Sequence, residues 1–219
     1  MSGRSRGSGG AGGKLNAWQQ RQQRDSYVKR AGQDGYRSRA SYKLLQIDDK
    51  YTLLRPGAVV IDLGAAPGGW SQVARDRVGG RGTVIAVDRL AMASLGGVTI
   101  IEGDFSEEAT LDAVLQAAGG PDCGVDLVLS DMAPNLSGIR MADQARSMEL
   151  AELSLDLAAR TLQRGGSLLV KCFEGAGIDR FRGDCRRVFG RVANHKPDAS
   201  RSESREFYLI ATDFKGLAG

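Results

Sequence analysis

Short apolar runs rich in β-branched residues recur along this chain, with helical patterns between them. The run at 58–64 closes on a glycine, and the runs at 82–88, 98–104 and 125–131 each close on an acid. Apolar runs of this length predict strands that are buried on both faces, and the helices between them predict parallel pairing. The sequence therefore predicts an α/β fold of the Rossmann-like type, with helices on both faces of a mostly parallel sheet.

The C-terminal part of the chain predicts three further strands, which makes seven. A strand at 166–173 and a helix at 178–189 precede two strands at 191–196 and 206–212. The link between the last two strands has no helical pattern, whereas parallel neighbours need a crossover of a dozen or more residues. One strand near the C-terminus is therefore predicted to run antiparallel to the others.

Composition divides the chain into two parts. Residues 1–13 are rich in Gly, Ser and Arg and are predicted to be disordered, residues 14–37 are polar and basic, and regular structure is expected to start near Ser38. The prediction is a flexible basic arm at 1–37 and one α/β domain at 38–215.

Positive charge is concentrated in two segments. Residues 1–50 hold 11 Lys and Arg against 4 Asp and Glu, and residues 180–205 hold 8 against 3. Such clustering indicates either a polyanionic partner or a merely solvated surface, and composition leaves both open.

Several classes of protein and site are disfavoured. No apolar run approaches the length of a membrane-spanning helix, and the N-terminus lacks the apolar stretch of a secretory signal. The three cysteines lack metal-type spacing and are interpreted as free thiols, and the only histidine is His195. We therefore expect a cytoplasmic, monomeric protein with no metal site and no membrane partner.

A glycine-rich turn follows the first strand, in the segment Asp62-Leu-Gly-Ala-Ala-Pro-Gly-Gly-Trp70. A dinucleotide fingerprint would need glycine at Ala66, and a phosphate-binding P-loop would need Gly-Lys-Ser/Thr. The spacing of an acid, Gly64 and Gly68 is instead typical of S-adenosylmethionine sites. Glycines here, Gly69 included, let the backbone approach a ligand closely. The predicted cofactor is S-adenosylmethionine.

Acids at the ends of the next two strands agree with that cofactor. Asp88 can accept hydrogen bonds from the ribose hydroxyls of an adenosine, although NAD enzymes use an acid in the same way. Asp104 can accept a hydrogen bond from the adenine amino group. Each acid alone could equally cap a helix, but the pair favours an adenosine-containing cofactor.

A second group of ionisable residues is expected at the same edge of the sheet. Asp131 ends the fourth strand and Lys171 ends the fifth, while Glu206 begins an antiparallel strand, so that its start meets the other strands' ends. A lysine in a buried strand is costly unless it is paired or functional, or unless it extends to the surface. Burial favours the neutral amine, which can accept the proton of a hydroxyl nucleophile.

The chain resembles the FtsJ/RrmJ family of RNA methyltransferases. The resemblance covers about residues 25–213 and rests on these motifs: Ser38-Arg-Ala-Ser-Tyr-Lys43-Leu, Asp62–Trp70, Gly103-Asp-Phe105, Ser130-Asp-Met-Ala-Pro-Asn135, Val170-Lys171 and Ser204-Arg-Glu206. It implies a catalytic tetrad of Lys43, Asp131, Lys171 and Glu206. Without the resemblance, Lys43 would be one more base on an amphipathic helix.

The resemblance also implies ligands and a reaction. The implied cofactor contacts are Gly68, Trp70, Asp88, Asp104 and Asp131. The implied reaction is methylation of the ribose 2′-hydroxyl of a uridine in large-subunit (23S) ribosomal RNA, on an assembled ribosomal particle. Lys171 would accept the proton, and the other three residues would position the ribose and Lys171.

Three alternatives to 2′-O-methylation of ribosomal RNA stay open. Base methylation is disfavoured, because the loop after Asp131 lacks the Pro-Pro pair of amino-methylating enzymes and Cys172 should point away from Lys171. A tRNA 2′-O-methyltransferase would have the same tetrad. A non-catalytic RNA-binding assembly factor would not need a buried lysine.

Overall fold

The computed structural model of the protein describes residues 26–120, 124–135 and 137–216. In these ranges seven strands form one sheet in the order β3-β2-β1-β4-β5-β7-β6. The strands are β1 Val59–Leu63, β2 Thr83–Asp88, β3 Val98–Glu102, β4 Val125–Ser130, β5 Leu162–Phe173, β6 Phe189–His195 and β7 Glu206–Phe214. The helices in the same ranges are α1 Ser26–Gln33, α2 Ser41–Tyr51, α3 Gly69–Val78, α4 Glu108–Ala118, α5 Arg140–Thr161 and α6 Ile178–Val188. None of these helices is long and apolar enough to cross a membrane.

The direction of the strands confirms the predicted topology. Strands β1 to β5 pair in parallel, whereas β7 lies between β5 and β6 and runs antiparallel to both. Residue Glu206, at the start of β7, pairs with Phe173, at the end of β5. The antiparallel strand therefore brings its first residue to the edge where the parallel strands end.

Apolar residues cover both faces of the sheet, as predicted. On one face Leu44, Ile47 and Val73 from α2 and α3 pack on the strands. On the other face the packing residues come from α4, α5 and α6, for example Leu111 and Phe181. The central strands are buried on both sides, which explains why their sequences are apolar throughout rather than alternating.

The order of the strands reverses between β1 and β4. The chain moves outward from β1 to β2 and β3, then returns across β1 to β4 and β5. Ligands of open α/β sheets bind in the crevice that such a reversal leaves beyond the strand ends. Here that crevice lies between the turn after β1 and the loop after β4.

Regular structure begins earlier than expected. The expected start near Ser38 is wrong, because α1 occupies Ser26–Gln33 within the predicted flexible arm. Buried Ala31 packs in one cluster with Tyr42 and Ala199, which are distant in sequence. The sequence of a short, charged segment does not indicate such long-range contacts, so this helix was not predicted. The predicted disorder of residues 1–13, like the rest of the arm up to residue 25, lies outside the described residues.

Candidate active site

Four charged residues meet at the edge where the strands end. Lys43 lies on α2, Asp131 directly follows β4, Lys171 lies near the end of β5, and Glu206 begins β7. The Lys43 Nζ lies 2.6 Å from Glu206 Oε1, and the Lys171 Nζ lies 3.0 Å from Asp131 Oδ1. The structure thus brings the four predicted catalytic residues together as two ion pairs.

Asp131 holds the Lys171 amine through two contacts. The Nζ donates a hydrogen bond to the Asp131 backbone carbonyl at 2.5 Å and another to its carboxylate at 3.0 Å. The Lys171 side chain is only 8% exposed, so it does not extend into solvent. The alternative that this lysine merely reaches the surface is therefore wrong. Both contacts leave the amine in a defined position at the edge of the crevice.

Tyr208 is part of this site and was not predicted from the sequence. Its hydroxyl donates a hydrogen bond to Asp131 Oδ1 at 2.5 Å, and its ring centroid lies 5.7 Å from the Lys43 Nζ. Alternation along a strand places Tyr208 on the same face of β7 as Glu206. That spacing was the available signal, but a tyrosine in an apolar run is ordinarily a core residue.

The electrostatics of the cluster keep both carboxylates ionised. Burial alone would raise the pKa of Asp131, but the ammonium groups of Lys171 and Lys43, together with the Tyr208 hydrogen bond, bring that pKa below its usual value. Burial likewise opposes ionisation of Glu206, and Lys43 outweighs it and lowers the Glu206 pKa. The site is a compact group of two anions and two lysines.

Asp88, one of the predicted cofactor residues, ends β2. Asp88 accepts hydrogen bonds from the backbone N–H groups of Ala66 at 2.9 Å and of Leu90 at 2.8 Å. It therefore holds the turn after β1 against the segment after β2. A carboxylate has about four acceptor positions, so Asp88 can accept further hydrogen bonds.

Asp104 lies at the end of β3, beyond Asp88. Its Oδ1 accepts hydrogen bonds from the Ser106 backbone at 3.0 Å and hydroxyl at 2.7 Å, and Arg89 lies 3.1 Å from its Oδ2. The Ser106 hydrogen bonds are the main reason that the Asp104 pKa is lowered. Asp104 is thus an ionised acceptor in a turn, as an adenine amino group would require.

Trp70 occupies a different place from the other predicted cofactor residues. Its side chain is 3% exposed, its Nε1 donates to the Ala40 carbonyl at 2.8 Å, and its ring centroid lies 5.6 Å from that of Tyr208. The indole therefore supports the start of α2 and the ring of Tyr208. Its contact with a cofactor stays a prediction, and the packing favours the Trp70 backbone rather than its indole for such a contact.

The glycines of the turn after β1 allow close approach of the surrounding chain. Gly68 adopts φ +105°, and a Cβ on Gly69 would lie 2.3 Å from the Ser38 hydroxyl. Gly64 adopts φ +67°, and a Cβ there would lie 2.2 Å from Met132 Cγ. Gly64 therefore allows the loop after Asp131 to pack against the turn.

We predict that Gly64→Ala displaces that loop. Gly57 is a matched control, because it adopts φ +85° with nothing within 4 Å of an added Cβ. Both substitutions strain a left-handed backbone, but only Gly64→Ala adds overpacking, which costs about 1–3 kcal/mol more. Urea unfolding of the two variants measures the difference. Equal losses in the two variants would contradict the close packing on Met132.

Asp62 is a buried acid beneath the turn. Its Oδ2 accepts a hydrogen bond from the Ser71 hydroxyl at 2.6 Å. Burial raises the Asp62 pKa to about 7 in spite of this hydrogen bond, and the carboxylates of Asp131 and Asp88 act in the same direction as burial. Asp62 is therefore protonated in the folded protein at pH values where the unfolded chain is ionised.

This shift predicts a pH dependence of stability. Because the folded pKa is raised, the contribution of Asp62 is fully present below the unfolded pKa, near 4, and is lost as pH rises to about 7. The free energy of unfolding should fall by about 1.4 kcal/mol per pH unit across that window from this group. Asp62→Asn should flatten the slope in urea titrations between pH 5 and 7. An unchanged slope in the variant would rule out Asp62 as its source.

The structure also describes two of the three cysteines and the side chains that could bind a metal ion. Cys172 is buried on the face of the sheet opposite the tetrad, and burial raises its thiol pKa to about 12, so it is no nucleophile. Cys172 and Cys185 are free thiols, whereas Cys123 lies outside the described residues. In the described ranges no three His, Cys, Asp or Glu side chains are grouped so that they could hold a metal ion.

Comparisons with known proteins agree with this architecture. Residues 36–214 match the FtsJ-like methyltransferase family. The chain is 56% identical to ribosomal RNA large subunit methyltransferase E of Alkalilimnicola ehrlichii over 197 residues, which is 90% of this chain and 93% of that protein. It is also 56% identical to the protein of the same name from Pseudomonas aeruginosa, over 88% of this chain and 92% of that protein.

A solved structure gives the same result. A crystal structure named as a ribosomal RNA methyltransferase from Plasmodium falciparum superimposes with a TM-score of 0.70 and 29% identity. The match covers 83% of this chain and all of that chain. Together with the matched residues 36–214, these similarities show that the chain belongs to the FtsJ-like methyltransferase family.

Proposed function

We propose that this protein transfers a methyl group from S-adenosylmethionine to the 2′-hydroxyl of a uridine in large-subunit (23S) ribosomal RNA. The proposal rests on two ion pairs at the end of the crevice, Lys43–Glu206 and Lys171–Asp131. Membership in the FtsJ-like methyltransferase family and the names of the bacterial relatives support the same reaction class and the same RNA.

The residues of the crevice fit the cofactor. Asp88 offers acceptor capacity for ribose hydroxyls, Asp104 for an adenine amino group, and the turn from Gly64 to Gly69 offers backbone without bulky side chains. The lack of a P-loop or dinucleotide fingerprint suits a cofactor without phosphates. When bound, S-adenosylmethionine supplies an electrophilic methyl group.

Lys171 has the position of a proton acceptor. A ribose hydroxyl is a weak nucleophile until its proton is removed. Asp131 holds the Lys171 Nζ by its backbone carbonyl and its carboxylate, so the amine has a fixed direction. We propose that Lys171 first releases to solvent the proton that it carries in the ion pair, and then, as the neutral amine, accepts the proton of the 2′-hydroxyl.

Lys43 and Glu206 are placed to position the ribose. They line an open cavity of about 410 Å³ that also includes Arg39, Arg201 and Ser204. Both arginines contribute positive charge at its rim, which suits a phosphate backbone. Holding the hydroxyl against the catalytic groups supplies much of the rate in reactions of this kind.

The finer features of the substrate follow from the resemblance. A uridine target and an assembled ribosomal particle are proposals on that ground. A cytoplasmic location and a monomeric state suit an enzyme that acts on bacterial-type ribosomes, and they remain predictions.

The test is methyl transfer from labelled S-adenosylmethionine to three unmodified acceptors: large ribosomal subunits, free 23S rRNA and bulk tRNA. We expect label in the large-subunit RNA and none in tRNA. Label in tRNA alone would overturn the rRNA target but keep the chemistry. RNA binding without any transfer would overturn the enzymatic proposal in favour of an assembly factor.

A further inference from the structure

A groove without an assigned role runs along the first half of α5. It encloses about 800 Å³ between Met141, Ala145 and Met148 of the helix and the turn 175–177 that follows β5. Met141 is 86% exposed and the preceding Ile139 is 65% exposed. Met141 therefore adds exposed apolar surface to the groove, as is common in binding surfaces.

The groove is continuous with the tetrad. Arg140, Gln144 and Arg205 line both this groove and a second cavity of about 270 Å³, which also includes Pro134 and Phe173. That second cavity shares Glu203 with the cavity beside Lys43 and Glu206. An extended ligand can therefore pass from Glu206 along Arg205 to α5.

The charge of the groove is polarised. The side chains of Arg140 and Arg205 make no hydrogen bond or ion pair within the described ranges, unlike Arg160 and Arg182, which are paired with acids. Glu149 and Glu152 line the other end of the groove, two to three helical turns further along α5. The positive end is thus the end nearest to the catalytic residues.

Asp143 and Glu203 also line the second cavity, and Asp143 is held against the turn that leads into α5. Its Oδ1 accepts hydrogen bonds from the Ser137 N–H and hydroxyl, both at 2.7 Å, and its Oδ2 accepts one from the Gly138 N–H at 3.1 Å. Asp143 therefore fixes the turn that leads into α5 and the position of Arg140 beside it.

We infer that this groove binds the single-stranded RNA that flanks the methylated nucleotide. This inference rests on the proposed function. Arg140 and Arg205 would each contact a backbone phosphate, and an unstacked base would lie against Met141 and Met148. Sequence-specific RNA recognition uses unstacked bases in this way, with cations on the phosphates and apolar or aromatic surface against the base.

The test compares three variants with wild type, using large ribosomal subunits that lack the modification as the RNA substrate. The double variant Arg140→Gln/Arg205→Gln removes the proposed phosphate contacts, and Met141→Gln removes the apolar surface. Arg164→Gln is the matched control, because Arg164 is an exposed arginine near the start of β5, at the opposite edge of the sheet. The readouts are the KM values for RNA and for S-adenosylmethionine and the salt dependence of RNA binding.

The double variant should raise the KM for RNA by at least about tenfold, since charge-assisted hydrogen bonds are lost. It should also reduce the slope of log K against log salt by about 1.4, the value for two contacts to a single strand. Met141→Gln should raise the KM for RNA without changing the slope. The KM for S-adenosylmethionine should stay as in wild type.

A KM for RNA within about twofold of Arg164→Gln, with an unchanged salt slope, would overturn the RNA groove. Wild type distinguishes this failure from failure of the proposed function. If wild type methylates the RNA and the variants match it, only the groove is refuted. If wild type methylates no RNA, the proposed function itself is refuted.

Discussion

Lys171→Arg should lose methyl transfer by roughly 10²- to 10⁴-fold while the protein stays folded and binds S-adenosylmethionine as before. An arginine keeps the positive charge beside Asp131, but it cannot be deprotonated in a protein and so cannot accept the hydroxyl proton. Single-turnover transfer of labelled methyl to RNA measures the loss, and cofactor titration measures binding.

Lys171→Ala is the companion variant. It removes both the charge and the proton acceptor, so its transfer rate should be as low as that of Lys171→Arg. Substantial activity in Lys171→Arg combined with inactivity in Lys171→Ala would show that Lys171 acts by its charge. That result would contradict its role as the proton acceptor.

Asp131→Asn should destabilise the protein by about 3–5 kcal/mol as well as abolish transfer, because it leaves the buried Lys171 ammonium without its counter-charge. The Lys171 and Asp131 side chains are 8% and 17% exposed. Glu108→Gln is the matched control, since Glu108 pairs with Arg160 at 2.8 Å but is 73% exposed. Loss of an exposed pair should cost far less than loss of the buried pair, because water screens the exposed charges.

A double variant separates stability from catalysis. Lys171→Met with Asp131→Asn removes both charges, so it should recover much of the free energy of unfolding that Asp131→Asn loses, and none of the activity. Urea unfolding monitored by fluorescence gives the stabilities. Equal stability of Asp131→Asn and wild type would contradict the buried ion pair.

The pKa of Asp131 predicts that the protein loses stability as pH falls, whereas the pKa of Asp62 predicts a loss of stability as pH rises. The folded pKa of Asp131 is lowered, so its stabilising contribution is present above the unfolded pKa, near 4, and is lost as pH falls through the folded value. Asp62 loses its contribution as pH rises to about 7. From these two carboxylates alone, stability should therefore be highest near pH 4, where their windows meet.

Strand ends were predictable from the sequence because their signals are local. The acids that close the runs at 82–88 and 125–131 stand where β2 and β4 end, and parallel pairing brings such ends to one edge. The same rule predicted that Glu206 lies at this edge, because the last strand was predicted to be antiparallel and to start there. Alternation also placed Cys172 on the face away from Lys171, where it is buried.

Features that depend on distant contacts were not predictable from local patterns. Lys43 lies on α2, and only its ion pair with Glu206, at the start of β7, indicates that it belongs to the site. The resemblance supplied Lys43, whereas the residues alone did not. Helix α1 was missed because its buried Ala31 packs with Ala199 from the far end of the chain.

Tyr208 and Trp70 show the same limit for single side chains. Their types suit a core, and both are buried. Only the folded structure shows that the Tyr208 hydroxyl donates to Asp131 and that Trp70 supports that ring. Side-chain roles within an apolar run cannot be assigned before the register of the strands is known.

The position of the transferred methyl group on the RNA tests the central claim most directly. Labelled RNA from the transfer reaction is digested to nucleosides and separated by chromatography with mass spectrometry. The proposed function predicts that the label is in 2′-O-methyluridine with wild type and is absent with Lys171→Arg. Label on a nucleobase, or label that persists in the Lys171→Arg variant, would contradict the account.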